Sequence, residues 1–206
     1  RSACWRTLAE ADRIATTPQQ RHDLGVVADY WMKVFPETSD KTRSTFVTSF
    51  IGTTDLLTRG MLRTLFGTDT NITPQAIEEG KIIIVALPIK DYGDVGLIAA
   101  TLWKHAFMRS IERRDVKVSP RAAVLWMDEA AHLVTRGDML FASSCRSSRT
   151  ALVLMGHNLG SFHVALGGGE TGRAETDGLF SLCNTKVFCA NSDSVTNEWT
   201  STLIGK

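Results

Sequence analysis

The chain has 206 residues, of which 43% are hydrophobic and 22% are charged, a composition typical of a soluble globular protein. The formal net charge of +1 excludes a strongly basic protein that coats nucleic acid, although it allows a few local contacts with one. The length suits one domain, or one domain with part of another.

The four cysteines contain no Cys-x-x-Cys pair and no His at the spacing of a zinc site. They are therefore predicted to be small buried thiols in a reducing compartment. No apolar run approaches the roughly 20 residues that cross a membrane, and the first ten residues lack the apolar core of a signal peptide. The absence of an initiating Met predicts a piece of a longer protein.

The first third of the chain has apolar residues at helical spacing. Helices are predicted near residues 4–15, 19–34 and 42–57, with Ser39 or Asp40 as a cap for the third. Residues 1–70 are therefore predicted to be a mainly helical segment, part of an all-α subdomain or insertion.

Residues 71–206 follow a different pattern. Continuous apolar runs predict strands buried on both faces, and helical spacing returns between and after these runs. This alternation predicts an α/β fold with a parallel sheet covered by helices. The predicted strands are residues 81–88, 122–127, 151–155 and 186–190, and the clearest helices are residues 95–114 and 195–203.

Two acidic residues, Asp128 and Glu129, follow the second predicted strand. At the carboxyl end of a parallel strand, the first carboxylate can hold Mg²⁺, usually through water. The second can orient or deprotonate a water that attacks a γ-phosphate. An Asp-Glu pair after a strand is also often only the cap of the next helix.

Polar residues flank the third predicted strand as well. Arg146 and Arg149 precede it and could stabilise charge on a phosphate of a neighbouring subunit, or could be solvated arginines. His157 and Asn158 follow it and could sense a γ-phosphate or cap a helix. The glycine run at residues 167–169 lacks a Lys and is predicted to be a flexible surface turn.

Four segments occur in a characteristic order along the chain. They are Leu-Trp-Met-Asp-Glu (125–129), Cys-Arg-Ser-Ser-Arg-Thr (145–150), Gly-His-Asn-Leu-Gly-Ser-Phe (156–162) and Ala-Leu-Gly-Gly-Gly-Glu (165–170). With the runs at 71–88 and 184–205, they make residues 42–206 resemble the TraG/TraD-type coupling ATPases of bacterial conjugation and type IV secretion. These are relatives of the FtsK and HerA motors. The resemblance rests on the order of the pieces, since no single piece is decisive.

The resemblance implies the C-terminal part of a RecA-like P-loop ATPase core over residues 71–206, with ATP and Mg²⁺ as cofactors. It makes Asp128 the Mg²⁺-associated carboxylate, Glu129 the catalytic one and Arg146 the trans-acting arginine, with Arg149 second. His157 and Asn158 fall at the nucleotide-sensing position, where many relatives carry Gln instead of His157. Lys186 is expected to support packing or a nearby acid.

The resemblance also implies an assembly. A ring of six subunits would move single-stranded DNA, or relaxase or effector proteins, towards type IV secretion channel components at the cytoplasmic face of the bacterial inner membrane. The phosphate-binding pattern Gly-x-x-x-x-Gly-Lys-Ser/Thr does not occur in the chain. These 206 residues alone are therefore predicted to have no meaningful ATPase activity.

Two alternatives remain at this point. The chain could be a non-catalytic module that docks secretion substrates or partners through its helical first third. It could also be an unrelated α/β enzyme that uses Asp128 and Glu129 for another reaction, which would require a compact pocket with perturbed carboxylates.

Overall fold

The computed structural model describes residues 3–205, apart from the side chains of Thr53 and Leu56. The chain divides between Gly67 and Thr68 into two compact units, called unit 1 and unit 2 below. The sequence placed this division after residue 70.

Unit 1 consists of helices. In chain order these are α1 (Ala3–Ile14), α2 (Pro18–Asp29), a π-helical turn (Tyr30–Val34), α3 (Phe35–Glu37), α4 (Asp40–Thr54), a 3₁₀ turn (Asp55–Thr58) and α5 (Gly60–Phe66). Thr17 and Gln20 form a capping box at the start of α2, and Pro18 takes the first helical position, where its missing N–H costs nothing. Ser39 caps α4 by accepting a hydrogen bond from the backbone N–H of Thr42, at 3.3 Å.

Unit 1 buries little of its apolar surface. Among its described side chains, Leu62 alone is buried. Trp31 and Phe35 contact each other with ring centroids 4.9 Å apart, yet Trp31 remains exposed. Phe46 and Phe50 of α4 are 60% and 69% exposed, so most of the large apolar side chains of this unit face outward.

Unit 2 contains two short strands among its helices. In chain order it contains a 3₁₀ turn (Pro74–Glu79), α6 (Ile89–Arg113), β1 (Ala123–Met127), a 3₁₀ turn (Ala130–His132), α7 (Arg136–Ser144), β2 (Thr150–Leu154), α8 (Leu159–Ala165), α9 (Gly169–Ser181) and α10 (Ser194–Ile204). Helix α6 is broken at Gly93, whose φ of 53° is readily adopted only by glycine.

The strands β1 and β2 are parallel, with Ala123 opposite Thr150 and Met127 opposite Leu154. Ala123, Leu125 and Met127 point to one face because side chains alternate along a strand. On that face Ala123 packs with buried residues of α6 and α7, while Met127 packs with those of α8 and α9. The second and third predicted strands are thus confirmed, and they form a small parallel sheet in a mostly helical α/β unit.

Three expectations about the sheet were wrong. Residues 81–88 and 186–190 contain no strand, and the sheet has two strands in the part of the chain that the structure describes. Ile82 and Val187 are 89% and 83% exposed, so these runs have strand-like composition without a paired neighbour. The described residues also cover the sheet on one face and leave the other open, since Val124 and Trp126 are 57% and 63% exposed.

A buried ion pair joins α6 to α7. Lys104 Nζ lies 2.6 Å from Asp138 Oδ2, and these side chains are 3% and 0% exposed. Lys104 Nζ also donates to the carbonyl of Leu133 at 2.5 Å, and Asp138 Oδ2 accepts from the backbone N–H of Thr135 at 2.7 Å. Burial lowers the pKa of Lys104, while the hydrogen bond with Asp138 opposes that shift. The pair fixes the start of α7 against the middle of α6.

The cysteines are all free thiols, and the prediction of burial is wrong for Cys189, which is exposed. Cys145 and Cys183 are half-buried, and burial raises the pKa of both thiols. Within residues 3–205, none of the helices has the length and apolar character needed to cross a membrane.

Candidate catalytic edge of the sheet

The carboxyl ends of β1 and β2 meet in a tight arrangement of backbone hydrogen bonds. The N–H of Met155 donates to the carbonyl of Met127 at 2.9 Å, and the N–H of Ala130 donates to the carbonyl of Met155 at 2.8 Å. Between them, Glu129 has a left-handed backbone, with φ of 51° and ψ of 41°. This conformation is uncommon for a residue other than glycine and tends to occur at functional sites.

Glu129 is the centre of a small polar cluster. Its Oε1 lies 3.0 Å from His157 Nε2, and its Oε2 lies 3.7 Å from His132 Nε2. The side chains of Glu129 and His157 are 52% and 79% exposed, so water reaches both of them. An exposed pair of this kind contributes at most about 1 kcal/mol to stability. The contact with His157 instead holds the Glu129 carboxylate in place while leaving it accessible to solvent.

Asp128 precedes this cluster and is exposed. Its Oδ1 accepts a hydrogen bond from the backbone N–H of Glu129 at 3.0 Å. Within the described residues, no group of three or more His, Cys, Asp or Glu could hold a metal ion. Asp128 therefore offers a single accessible carboxylate. One carboxylate supplies too few oxygen ligands for Mg²⁺ by itself, so Asp128 could hold that ion only together with water or other ligands.

Asn158 begins α8. Its Oδ1 accepts from the N–H and the hydroxyl of Ser161, at 2.9 and 3.0 Å, so the helix-cap role that the sequence allowed is present. A cleft of about 650 Å³ lies beside it, lined by Ala131, His132, Val134, Asn158, Gly160, Ser161, Val164 and Ala165. The cleft adjoins the Glu129 cluster through His132.

The predicted arginines lie at the other end of β2. Arg146 and Arg149 precede the strand, whereas Glu129 and His157 follow the carboxyl ends of β1 and β2. Five-residue strands span about 16 Å, so the arginines are remote from Glu129 of their own chain. Both are exposed, and Arg149 Nη1 donates to the carbonyl of Pro120 at 3.0 Å.

The turn that carries these arginines is firmly held. Arg114, just after α6, donates through Nε to the carbonyl of Ser148 at 3.1 Å and through Nη2 to that of Arg149 at 3.3 Å. Arg149 itself has a left-handed backbone with φ of 50°.

Two further expectations concern groups away from this edge. The glycines at 167–169 all have positive φ; Gly167 and Gly168 lie in the turn between α8 and α9, and Gly169 begins α9, so the predicted turn is present. Lys186 forms no salt bridge with an acid of the described residues, and its Nζ donates to the carbonyl of Cys183 at 2.7 Å.

Sequence reasoning missed Asn191, which contacts the main chain at this edge, and Asp138, which belongs to the buried pair between α6 and α7. Asn191 Nδ2 donates to the carbonyl of His157 at 2.7 Å, and nothing in the local pattern singles out this Asn. Asp138 carries a signal that could have been used, since Thr135 and Asp138 have the spacing of a helix capping box.

No family model matches this chain, and no curated protein or solved structure matches it either.

Proposed function

We propose that the chain is part of an ATP-driven translocase of the coupling-protein kind, which recruits DNA or protein substrates to a type IV secretion or conjugation channel. The observation that carries the proposal is the contact between Glu129 and His157. Two residues singled out separately in the sequence meet at 3.0 Å, at the shared carboxyl edge of two parallel strands. In open α/β sheets this edge is where ligands bind.

In this proposal Glu129 accepts the proton of the attacking water or orients that water. The left-handed backbone of Glu129 and the contact with His157 hold the carboxylate towards solvent, where a phosphate-bearing ligand can approach. Asp128 would hold Mg²⁺ through water, and the ion would neutralise charge on the phosphate oxygens. His157 would respond to the occupant of the edge through its contact with Glu129.

The arginines support a multi-subunit arrangement. Arg146 and Arg149 precede β2, a five-residue strand about 16 Å long, whereas the Glu129 edge of their own chain lies at its other end. A role in phosphoryl transfer therefore requires that they reach the nucleotide of a neighbouring subunit, as trans-acting arginines do. A closed ring, with six subunits in the proposal, provides every subunit with such a neighbour.

The sequence lacks a phosphate-binding loop, so the proposal places that loop outside these 206 residues. The 206-residue chain on its own would then turn over no ATP. The longer protein would bind ATP and Mg²⁺ and would act at the cytoplasmic face of the inner membrane. It would grip single-stranded DNA with little sequence preference, or relaxase or effector proteins, and would contact channel components.

Steady-state ATP hydrolysis by the natural full-length protein tests the proposal. Glu129→Gln is expected to lower the turnover rate by about 10²- to 10⁴-fold, the usual contribution of a general base. The matched control is Glu170→Gln, the same change at a carboxylate whose side chain is 94% exposed, on α9. Equal activity of the Glu129→Gln variant and the control would refute the assignment.

A second candidate function is supported by unit 1. Its outward-facing apolar side chains, Phe46 and Phe50 among them, favour a non-catalytic module that docks secretion substrates or partners. If the full-length protein binds no nucleotide, this candidate replaces the motor. Loss of partner capture on Phe46→Ser with Phe50→Ser would then be the expected result.

A further inference from the structure

The loop that carries His157 is held from the side of α10. The side-chain amide of Asn191 donates from Nδ2 to the carbonyl of His157 at 2.7 Å. The carbonyl of Asn191 in turn accepts from Nδ2 of Asn197 at 2.9 Å, and Asn197 belongs to the first half of α10. A continuous set of hydrogen bonds therefore runs from α10 to the main chain of His157.

The orientation of the Asn191 side-chain amide is set by the hydrogen bonds of its oxygen and its nitrogen. Its Oδ1 accepts from the N–H of Asp193 at 2.6 Å, which leaves Nδ2 to donate to His157. Asp193 is itself fixed, because its Oδ2 accepts from the N–H and the hydroxyl of Thr196 at 2.9 and 2.6 Å. These two hydrogen bonds also lower the pKa of Asp193.

Thr196 adds a second attachment on the far side of Asn158. Its buried Oγ1 accepts from the N–H of Leu159 at 3.0 Å. The start of α10 thus holds the chain on both sides of Asn158, at His157 through Asn191 and at Leu159 through Thr196.

We propose that Asn191 is a positioning residue for the Glu129–His157 pair and that it connects α10 to the candidate catalytic carboxylate. The His157 side chain is 79% exposed, so packing around the ring cannot fix its direction. The ring bonds to Glu129, and the distance between the ring and Glu129 depends on the position of the His157 main chain, which Asn191 holds. A displacement of α10 would then be transmitted to Glu129 as a change in its hydrogen bond with His157.

An effect of Asn191 on catalysis rests on the proposed function, whereas the coupling from Asn191 through His157 to Glu129 does not. It is therefore tested without nucleotide, from the imidazole ¹⁵N chemical shifts of His157 in the 206-residue chain. The measured response is the change in those shifts caused by Glu129→Gln. It is compared between the native background and backgrounds with a second substitution, so that additive charge effects cancel.

Asn191→Asp keeps the acceptor for the N–H of Asp193 and removes the donor to His157. It is expected to abolish most of the response. The matched control, Asn184→Asp, makes the same change at an exposed residue of the same segment and is expected to retain the response. A full response in a folded Asn191→Asp variant would overturn the proposal, as would the absence of any response in the native background.

Asn197→Ala provides a second variant in case Asn191→Asp does not fold. It leaves Asn191 in place and removes the amide that holds its carbonyl. A weakened response is expected, and an undiminished one would contradict the connection. ATP hydrolysis by the full-length protein is measured separately, so a protein without turnover would refute the motor and leave this result standing.

Discussion

The buried ion pair between Lys104 and Asp138 gives the strongest prediction about stability. Asp138→Asn keeps the shape of the side chain and removes its charge. The ammonium group of Lys104, 3% exposed, would then keep only the carbonyl of Leu133 and a neutral amide oxygen as partners. The new NH₂ group would occupy the position of Oδ1, which has no hydrogen-bond partner in the described structure.

Removal of one member of a buried pair typically costs about 3–5 kcal/mol. The carbonyl of Leu133 still compensates part of the charge of Lys104, so we expect a loss at the lower end, about 3 kcal/mol. With urea slopes of about 1–3 kcal/mol per molar, the unfolding midpoint would fall by about 1–3 M. Replacement of both residues, as Lys104→Met with Asp138→Leu, should recover much of the loss because no charge stays buried.

Urea unfolding followed by far-UV circular dichroism measures the change. Hydrogen exchange in α6 and α7 assigns that change to unit 2. The control is Asp177→Asn, an exposed carboxylate on α9, which should change stability by no more than about 0.5 kcal/mol. A loss of stability below about 1 kcal/mol for Asp138→Asn would be no larger than the contribution of an exposed ion pair. It would refute the claim that burial makes the Lys104–Asp138 pair costly to break.

Four further predictions concern separate parts of the molecule. Cys189 is exposed, whereas burial raises the pKa of the Cys145 and Cys183 thiols. Iodoacetamide at neutral pH should therefore modify Cys189 first, as measured by mass spectrometry. Equally fast modification of Cys145 or Cys183 would contradict this prediction. Hydrogen bonds from Thr196 lower the pKa of Asp193 below its ordinary value of 3.8, so its contribution to stability is complete above that pH and is lost as pH falls through the lowered pKa. Asp193→Asn should remove this acid-sensitive part, as measured by thermal unfolding at a series of acidic pH values, and an unchanged pH profile would argue against it. A Cβ on Gly172 would lie 2.0 Å from the carbonyl oxygen of His163, so Gly172→Ala should destabilise unit 2 by at least about 1–3 kcal/mol. Gly25→Ala in α2 meets nothing within 4 Å and should stabilise by about 0.5–1 kcal/mol; a loss of stability there, or none at Gly172, would show that the local packing differs.

The sequence was sufficient for β1 and β2 and for the residues that follow them. Ala123–Met127 and Thr150–Leu154 are apolar runs that end in polar residues, and parallel strands bring such ends to one edge. Residues 81–88 have equally strand-like composition but form no strand in the structure. A strand depends on a paired neighbour, and composition alone does not show whether one is present.

The long-range contacts of Asn191 and of Asp138 could not be predicted from local sequence patterns. Asn191 and His157 are 34 residues apart, and a single amide donor carries their contact. Lys104 and Asp138 are likewise 34 residues apart, and on amphipathic helices charged residues ordinarily face solvent. Such contacts depend on how the helices pack on the sheet, and a short sequence pattern does not predict that packing.

The assignment of Glu129 as the catalytic carboxylate is tested most directly by the fate of bound ATP in a single turnover. The full-length protein and its Glu129→Gln variant would be mixed with a substoichiometric amount of labelled ATP and Mg²⁺, and bound nucleotide would be separated and identified over time. The account predicts that both proteins bind ATP and that only the variant retains it unhydrolysed, because Glu129 meets His157 at the edge where the attacking water would lie. Hydrolysis by the variant at the native rate, or no binding by either protein, would contradict it.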